Sequence, residues 1–334
     1  MATHTRRASV LLLAGVTAAA FALTGCGQAG SSGTEAPATA SGAGCAPVAG
    51  DQLVVLDDDK HLQNTDNIVA VANAKRATPA LLAAVDKVGA ALDTPKLIAL
   101  NKAVEVERKT SEVAAQEFAA QAGLTTGLSG GAGPVVVGAA NFPESKTLAE
   151  LYKIALNAAG FQATVQVAGN RELYEPALER GELTVFPEYA ATLTEFLNQK
   201  QNGKEAAAKA SGDVNATVAA LKELATKAGL TVGTPSAAAD QNAYAVTKAF
   251  ADQHQVKTLS DFAAKCSGKA TVLAGPPECP QRSFCQPGLE KTYGITFGSF
   301  QQADAGGPQS KTAVTTGKAT LGMVFSSDGS LATN

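Results

Sequence analysis

Short apolar runs alternate with amphipathic stretches along most of the chain. The apolar runs predict buried strands at residues 53–56, 68–71, 135–137, 161–167, 183–186, 230–232, 244–247, 271–273 and 321–325. Apolar residues at helical spacing predict helices at residues 79–92, 95–104, 110–122, 143–159, 171–180, 213–228, 259–265, 288–293 and 310–316. Strands and helices that alternate at this pitch indicate an α/β fold with a largely parallel sheet.

The first 26 residues have the pattern of an export signal. Arg6 and Arg7 precede an apolar run at residues 10–23, which is shorter than the roughly 20 residues that a membrane-spanning helix needs. LTGC at residues 23–26 resembles a bacterial lipobox, so we predict a lipoprotein signal peptide at residues 1–25 and a lipidated Cys26. The alternative is a secretory signal followed by an unrelated cysteine.

Residues 26–49 are rich in Gly, Ser, Ala, Thr and Pro. This composition predicts a flexible tether between the lipid anchor and a folded body. The body is then expected on the extracytoplasmic face of the cell membrane.

The composition of the chain narrows the possible partners. Of its 334 residues, 45% are hydrophobic and 17% are charged, which is typical of a folded protein. The net charge is −3 and Lys and Arg do not cluster, so a nucleic acid is not expected as a partner. Because the chain has only 5 Tyr and no Trp, each tyrosine is a candidate for a specific role.

Four cysteines follow Cys26, and an even number in an oxidising compartment favours disulfides. Cys279 and Cys285 enclose a short loop that one bridge would close, which leaves Cys45 with Cys266 as the other pair. A metal site is the alternative, but the chain has only 3 His to supply further ligands. We therefore expect neither a metal nor a cofactor.

The sequence contains no recognisable catalytic template. It lacks a Gly-x-Ser-x-Gly elbow, a phosphate-binding loop and a His in a plausible triad. This absence favours a binding protein over an enzyme.

Residues 135–197 carry three motifs in order: Gly-x-x-Asn-Phe-x-Glu, Arg-Glu-Leu-Tyr-x-Pro-Ala-Leu and Pro-Glu-Tyr-x-x-Thr. This segment resembles the opening part of glycine betaine/choline-binding proteins of osmoprotectant ABC importers. Residues 273–294 and VFSSDG at residues 324–329 resemble later parts of the same proteins. The resemblance implies a type II periplasmic-binding-protein-like fold. Two lobes, each with a mixed and mainly parallel sheet, would be joined by a two-stranded hinge and would close around a ligand.

The order of the segments differs from that of the family. LVVLDDDK at residues 53–60 resembles a part that follows the VFSSDG turn in the family, yet here it comes first. The resemblance therefore implies a circular permutant, with a fusion of two unrelated fragments as the alternative. The implied lobe 1 is formed by residues 50–124 and 134–235, joined by a linker at residues 125–133. Lobe 2 is formed by residues 236–325, and residues 326–334 return to the hinge, so that Asn334 would lie near Asp51.

A trimethylammonium group donates no hydrogen bond, so aromatic faces must recognise its charge. The resemblance carries ligand-contacting roles over to the following positions: Tyr189, Thr192, Tyr244, Arg282 and Phe325, with Asn141, Tyr174 and Asn242 in the same motifs. Arg282 is the implied partner of a ligand carboxylate. Core packing is the alternative role for the aromatic residues, and pairing with Glu278 is the alternative for Arg282.

Two positions depart from the family pattern. Asp66 stands where a cage aromatic is expected, and Ala140 stands where a Lys is expected. Asp66 would place a negative charge near a cationic head group and favour choline-like ligands over zwitterions. It is also compatible with a ligand that is not a quaternary ammonium compound.

The leading hypothesis is a lipid-anchored protein without catalytic activity that delivers glycine betaine, choline or a related osmolyte to the permease of an ABC importer. The alternatives are a lipoprotein that senses or tethers another small polar ligand, and an enzyme built on the same two-lobed fold.

Overall fold

A computed structural model of the protein describes residues 40–331. The strands are β1 (Leu53–Leu56), β2 (Ile68–Asn73), β3 (Pro134–Ala139), β4 (Gln162–Val167), β5 (Val185–Tyr189), β6 (Leu230–Val232), β7 (Asn242–Thr247), β8 (Gly268–Gly275), β9 (Phe297–Gln302) and β10 (Leu321–Phe325). The helices are α1 (Pro79–Ala91), α2 (Thr94–Glu105), α3 (Ser111–Gln121), α4 (Pro143–Ala159), α5 (Arg171–Arg180), α6 (Ala190–Asn202), α7 (Val214–Lys227), α8 (Lys248–His254), α9 (Leu259–Cys266), α10 (Gln286–Gly288) and α11 (Pro308–Thr315). A 3₁₀ turn (Cys279–Gln281) precedes α10, and a π-helical turn (Leu289–Tyr293) continues it.

Lobe 1 is built on a sheet with the strand order β4-β3-β5-β2-β6, in which β2 alone runs against the other strands. All of β2 is buried because the sheet has helices on both faces. Ile68, Ala70 and Ala72 face the cluster under α1–α4, whereas Val69 and Val71 face the cluster under α5–α7.

Lobe 2 has a sheet of the same form, with the order β1-β7-β10-β8-β9 and with β7 running against the others. Its two faces are again separately packed. Tyr244 and Val246 enter one apolar cluster, and Ala245 enters the other. The expected architecture of two lobes with mixed, mainly parallel sheets is confirmed.

Two extended segments cross between the lobes side by side. Asn67 and Ala239 form an antiparallel bridge, and the Asp240 amide donates to the Asp66 carbonyl at 3.1 Å. A third segment runs beside this crossing after β10, where the Ser326 amide donates to the Gln241 carbonyl at 2.8 Å. The lobes are therefore joined by a two-stranded hinge, as expected, with the end of the described chain alongside it.

Two of the expected boundaries are corrected by strand pairing. The sequence placed residues 50–124 in lobe 1, but β1 pairs with β7 in the lobe 2 sheet, with Leu53 opposite Thr247. The predicted tether reached residue 49, but residues 42–50 are hydrogen-bonded to lobe 2, for example through the bridge between Ala43 and Gly268. Edge pairing and the Cys45 disulfide hold this segment in place. The predicted signal peptide, Cys26 and Asn334 lie outside the described residues.

Most predicted elements are found within a few residues of their expected limits, but the sequence analysis did not identify α6, α8 or β9. Helix α6 begins directly after the last residue of β5, so no turn separates the two elements. Strand β9 contains two exposed glutamines and lies at the edge of its sheet, where the apolar pattern is weak. In the part of the chain that the structure describes, the helices fall short of the length and hydropathy that crossing a membrane requires.

Both predicted disulfides are confirmed. Cys45 is bonded to Cys266 at the end of α9, and Cys279 is bonded to Cys285 across a loop between β8 and α10. The first bridge fixes the segment before β1 to lobe 2, and the second closes a loop that reaches lobe 1.

The two bridges are expected to differ in their contribution to stability. In the chain-entropy model, a bridge over 221 residues contributes about 5 kcal/mol and one over 6 residues about 2 kcal/mol. Cys45→Ser with Cys266→Ser is therefore expected to lower the free energy of unfolding more than Cys279→Ser with Cys285→Ser. Denaturant unfolding without reductant measures both losses, and equal losses would contradict the expectation.

Candidate ligand-binding site

The candidate site is a cavity of about 500 Å³ between the lobes. Its walls come from the loops that follow β3 and β4 and from α6 in lobe 1, and from the loops that follow β8 and β9 and the end of β10 in lobe 2. Parallel strands that point the same way bring their carboxyl ends to one edge, which is where open α/β sheets bind ligands. The volume is typical of a pocket for a small organic molecule.

Three aromatic rings from both lobes meet at one wall. The Phe142 ring centroid lies 6.3 Å from that of Tyr189 and 5.4 Å from that of Phe325. Phe142 is the N-cap of α4, Tyr189 ends β5, and Phe325 ends β10. Rings at these separations pack against one another and form one aromatic wall, against which an alkylated cation can lie.

Glu144 fixes one of these rings from behind. It accepts hydrogen bonds from the Tyr189 hydroxyl, the Asn101 amide and the Ser327 hydroxyl, each at 2.6 Å. Burial raises the pKa of Glu144, and these three donors oppose the rise. Because Ser327 follows β10 of lobe 2, the same carboxylate also joins the two lobes.

The hinge supplies two carboxyl groups to the floor of the cavity. Asp66 Oδ1 accepts from the amides of Ala191 at 2.6 Å and Thr192 at 3.1 Å, which belong to the first turn of α6. Asp240 Oδ1 accepts from the Ser327 amide at 3.0 Å and the Ser326 hydroxyl at 3.2 Å. Burial raises the pKa of Asp66 to about 7. Burial, and next the charge of Glu144, raises the pKa of Asp240 well above its usual range.

A charged clasp crosses the mouth of the cavity. Arg282 Nε and Nη2 donate to the two carboxylate oxygens of Glu172, both at 2.9 Å, and Glu172 belongs to lobe 1. Beside it, Gln199 donates to the Ser283 hydroxyl at 2.6 Å. Arg282 and Ser283 both lie in the loop that the Cys279–Cys285 bridge closes. Through these two residues the loop contacts lobe 1 at the mouth of the cavity.

A second arginine lines the cavity and is also paired. Arg171 Nε and Nη2 donate to Glu188 at 2.9 and 2.7 Å, and Nη2 also donates to the Thr192 hydroxyl at 3.0 Å. The Tyr174 hydroxyl donates to the same glutamate at 2.9 Å. This buried network positions the start of α5 and the end of β5 rather than offering a vacant guanidinium.

The structure brings most of the predicted site residues together at the cavity. Those that line it are Asp66, Asn141, Tyr174, Tyr189, Thr192, Asn242, Arg282 and Phe325, and Ala140 lines it as well. Asn141 accepts from Lys146 Nζ at 3.0 Å, and Asn242 donates to the Phe284 carbonyl at 3.1 Å. The Tyr174 ring stacks on Phe186 with centroids 3.8 Å apart, which supports its alternative, structural role.

Tyr244 is the exception and corrects the expected cage. It is 1% exposed, packs in the lobe 2 core and does not line the cavity. Its hydroxyl donates to the Phe284 carbonyl at 2.8 Å. Alternation along β7 points this side chain into the core beneath the loop that contains Phe284.

The sequence analysis did not identify several residues that line the cavity: Phe142, Arg171, Phe196, Asp240 and Phe284. Phe142 stands inside the Asn-Phe motif, which was a usable signal. Asp240 has no local signal, because only the hinge crossing brings residue 240 next to residue 66.

A family model described as the substrate binding domain of ABC-type glycine betaine transport systems matches residues 47–121 and 133–334. The chain belongs to this family. No curated protein matched the chain. The glycine betaine transport family has the type II periplasmic-binding-protein fold and comprises extracytoplasmic proteins that bind small solutes and work with ABC transporter permeases. It is a substrate-binding family and not an enzyme family.

The clasp is expected to help hold the lobes together. A partly exposed ion pair contributes about 1 kcal/mol or less, so Arg282→Gln should raise the ratio of open to closed molecules by up to about fivefold. A single-molecule distance distribution between labels on the two lobes measures this ratio. The matched control is Lys248→Gln, which breaks an ion pair within α8. An equal effect of both substitutions would contradict the role of the clasp.

Proposed function

We propose that this protein captures a quaternary ammonium osmolyte, such as glycine betaine or choline, in the cavity between its lobes and delivers it to an ABC transporter permease. The observation that carries the proposal is the group of three rings, Phe142, Tyr189 and Phe325, contributed by both lobes to one wall. A ligand that lies against these rings would contact both lobes at once. Closure would then depend on the ligand, which is the signal a permease can recognise.

The remaining contacts support closure around a guest. Glu144 with Ser327, and Arg282 with Glu172, link the lobes behind and in front of the cavity. Each pair forms only when the lobes approach. These contacts would add to the ligand's own preference for the closed form.

The proposal includes an anchor at Cys26, which LTGC at residues 23–26 supports. Among the described residues, hydrogen bonds to lobe 2 begin at Ser41, whose carbonyl accepts from the Thr296 hydroxyl at 3.5 Å. The acylated protein would therefore bind its solute outside the cytoplasm and stay beside the permease.

We also propose that the chain is a circular permutant of its family. The family match falls in two separate segments, on either side of residues 122–132. Leu331 packs in the same apolar cluster as Leu53, so the segment after β10 lies near the start of β1. Short connections between nearby surface segments allow the segment order to change at little cost.

Removing one ring is expected to weaken solute binding. Phe325→Leu keeps most of the apolar volume and removes the ring face, so the affinity for the bound quaternary ammonium should fall by about 2- to 30-fold. Calorimetric titration with glycine betaine, choline, carnitine and proline measures the change. Tyr152→Phe is the matched control and should leave the affinity unaltered, because Tyr152 is buried in the lobe 1 core and does not line the cavity. If none of the four solutes binds at millimolar concentration, the proposed function is wrong.

The permutation is tested by restoring the other order. A chain opened between residues 125 and 133, with its present ends joined by a Gly/Ser linker, is expected to fold and to keep its solute affinity within about threefold. The control is a chain opened inside α4, whose core positions Leu148 and Leu151 are fully buried. Equal failure of both chains to fold would count against the proposed permutation.

A further inference from the structure

The walls of the cavity carry positively and negatively charged side chains, but only the positive ones are paired with an opposite charge of the protein. Its two arginines, Arg171 and Arg282, are each paired with a glutamate through two hydrogen bonds. The printed hydrogen bonds use Nε and Nη2 of each arginine and leave the Nη1 donors, but the positive charge of each arginine is already balanced by a glutamate. A ligand carboxylate at either arginine would lie beside Glu188 or Glu172, so the site is weak for the carboxylate of a zwitterion.

The carboxyl groups of the hinge are in a different situation. Asp66 is 4% exposed and Asp240 is 3% exposed, and both line the cavity. The hydrogen bonds within 3.5 Å that hold them from the described residues all end on Oδ1. The second oxygen of each group remains for a guest in the cavity.

The charged groups around Asp66 and Asp240 do not balance the negative charge of these two carboxyl groups. Arg171 faces Asp66 but is already paired with Glu188, whereas Glu144 and Asp66 both face Asp240 with the same sign. Burial raises the pKa of both groups, that of Asp66 to about 7. Burial therefore favours the protonated form of both carboxyl groups in the empty site.

We propose that Asp66 and Asp240 determine the specificity of the cleft, selecting a cation that has no carboxylate, and that the entry of this cation displaces a proton from the pair. This inference rests on the proposed function and narrows its ligand to choline-like cations. A carboxyl group ionises, its proton passes to the solvent, and the resulting carboxylate faces the cationic head group that the rings surround. The net charge of the closed site then changes by less than the charge of the ligand.

A zwitterion gains less from the same site. Its cationic end would meet the floor and the rings, but its carboxylate would meet the acidic lining residues Glu195, Glu278 and Asp304, and arginines whose charge is already balanced. Like charges brought together in a desolvated site are costly, so we expect choline to bind at least about tenfold more tightly than glycine betaine.

The sign of the pH dependence follows from the displaced proton. Below the pKa of the pair, the cation must compete with a bound proton, so its affinity rises with pH by up to about tenfold per unit. The rise should level off once the pair is ionised in the empty protein. A site made only of neutral rings would bind choline equally at every pH in this range.

The experiment is titration of the full-length protein with choline chloride in phosphate and in Tris, which differ in ionisation enthalpy. The difference between the two apparent binding enthalpies, divided by the difference between the ionisation enthalpies of the two buffers, gives the number of protons released on binding. We expect release of a measurable fraction of one proton near pH 6.5, and an affinity that increases up to pH 8. Binding of choline with no proton release and no pH dependence would overturn the inference while leaving the proposed function intact.

Variants assign the effect to the pair. Asp66→Asn and Asp240→Asn should each reduce the proton release and lower the preference for choline over glycine betaine by about tenfold. The matched control is Asp252→Asn, an exposed carboxylate on α8 that does not line the cavity, and it should change neither quantity. If the two site variants do not fold, the wild-type proton count and the choline preference decide. Tighter binding of glycine betaine than of choline would also overturn the inference, whereas failure of every quaternary ammonium compound to bind would reject the proposed function itself.

Discussion

Glu144 is a desolvated carboxylate at the seam between the lobes, and the site depends on how its hydrogen bonds are satisfied. A buried carboxylate without donors is costly, so Tyr189, Asn101 and Ser327 must all reach it at the same time. Tyr189 brings its ring to the cavity wall in doing so, and Ser327 brings the end of β10 with Phe325 beside it. A single polar group thus sets the distance between the lobes and the position of two rings.

The topology explains why such a seam can exist. In each sheet the strand that runs against the others, β2 or β7, is the one that follows a hinge segment. The remaining strands of both sheets end toward the cleft, so their loops supply the walls and the hinge supplies the floor. Polar backbone and carboxyl groups are consequently concentrated at the floor, and aromatic side chains at the walls.

The sequence predicted the fold and much of the site because these depend on local patterns. Apolar runs marked most strands, and the Pro-Glu-Tyr and Asn-Phe motifs mark the end of β5 and the start of α4, where Tyr189 and Phe142 line the cavity. Contacts between residues that are far apart in the sequence could not be predicted from such local patterns. Tyr244 and Tyr189 both stand in motifs, but alternation along β7 buries one ring, whereas the end of β5 exposes the other to the cavity. Asp240 acquires its role only from the crossing segment that carries Asp66, and β1 belongs to lobe 2 only because the edge of β7 is free to pair with it.

The two departures from the family pattern that the resemblance implies, Asp66 and Ala140, are physically related to one another. An aromatic at position 66 would add a ring and leave the floor with one carboxyl group, which the surrounding donors could keep ionised. With Asp66 present, the floor has two carboxyl groups within one desolvated region, and their mutual repulsion adds to the cost of burial. A Lys at position 140 would have offset part of that charge, but Ala140 leaves it uncompensated. Arg171 offsets part of the charge of Asp66, but Glu188 and Glu172 already balance the charges of Arg171 and Arg282. The compensating positive charge must therefore come from a proton or from the ligand.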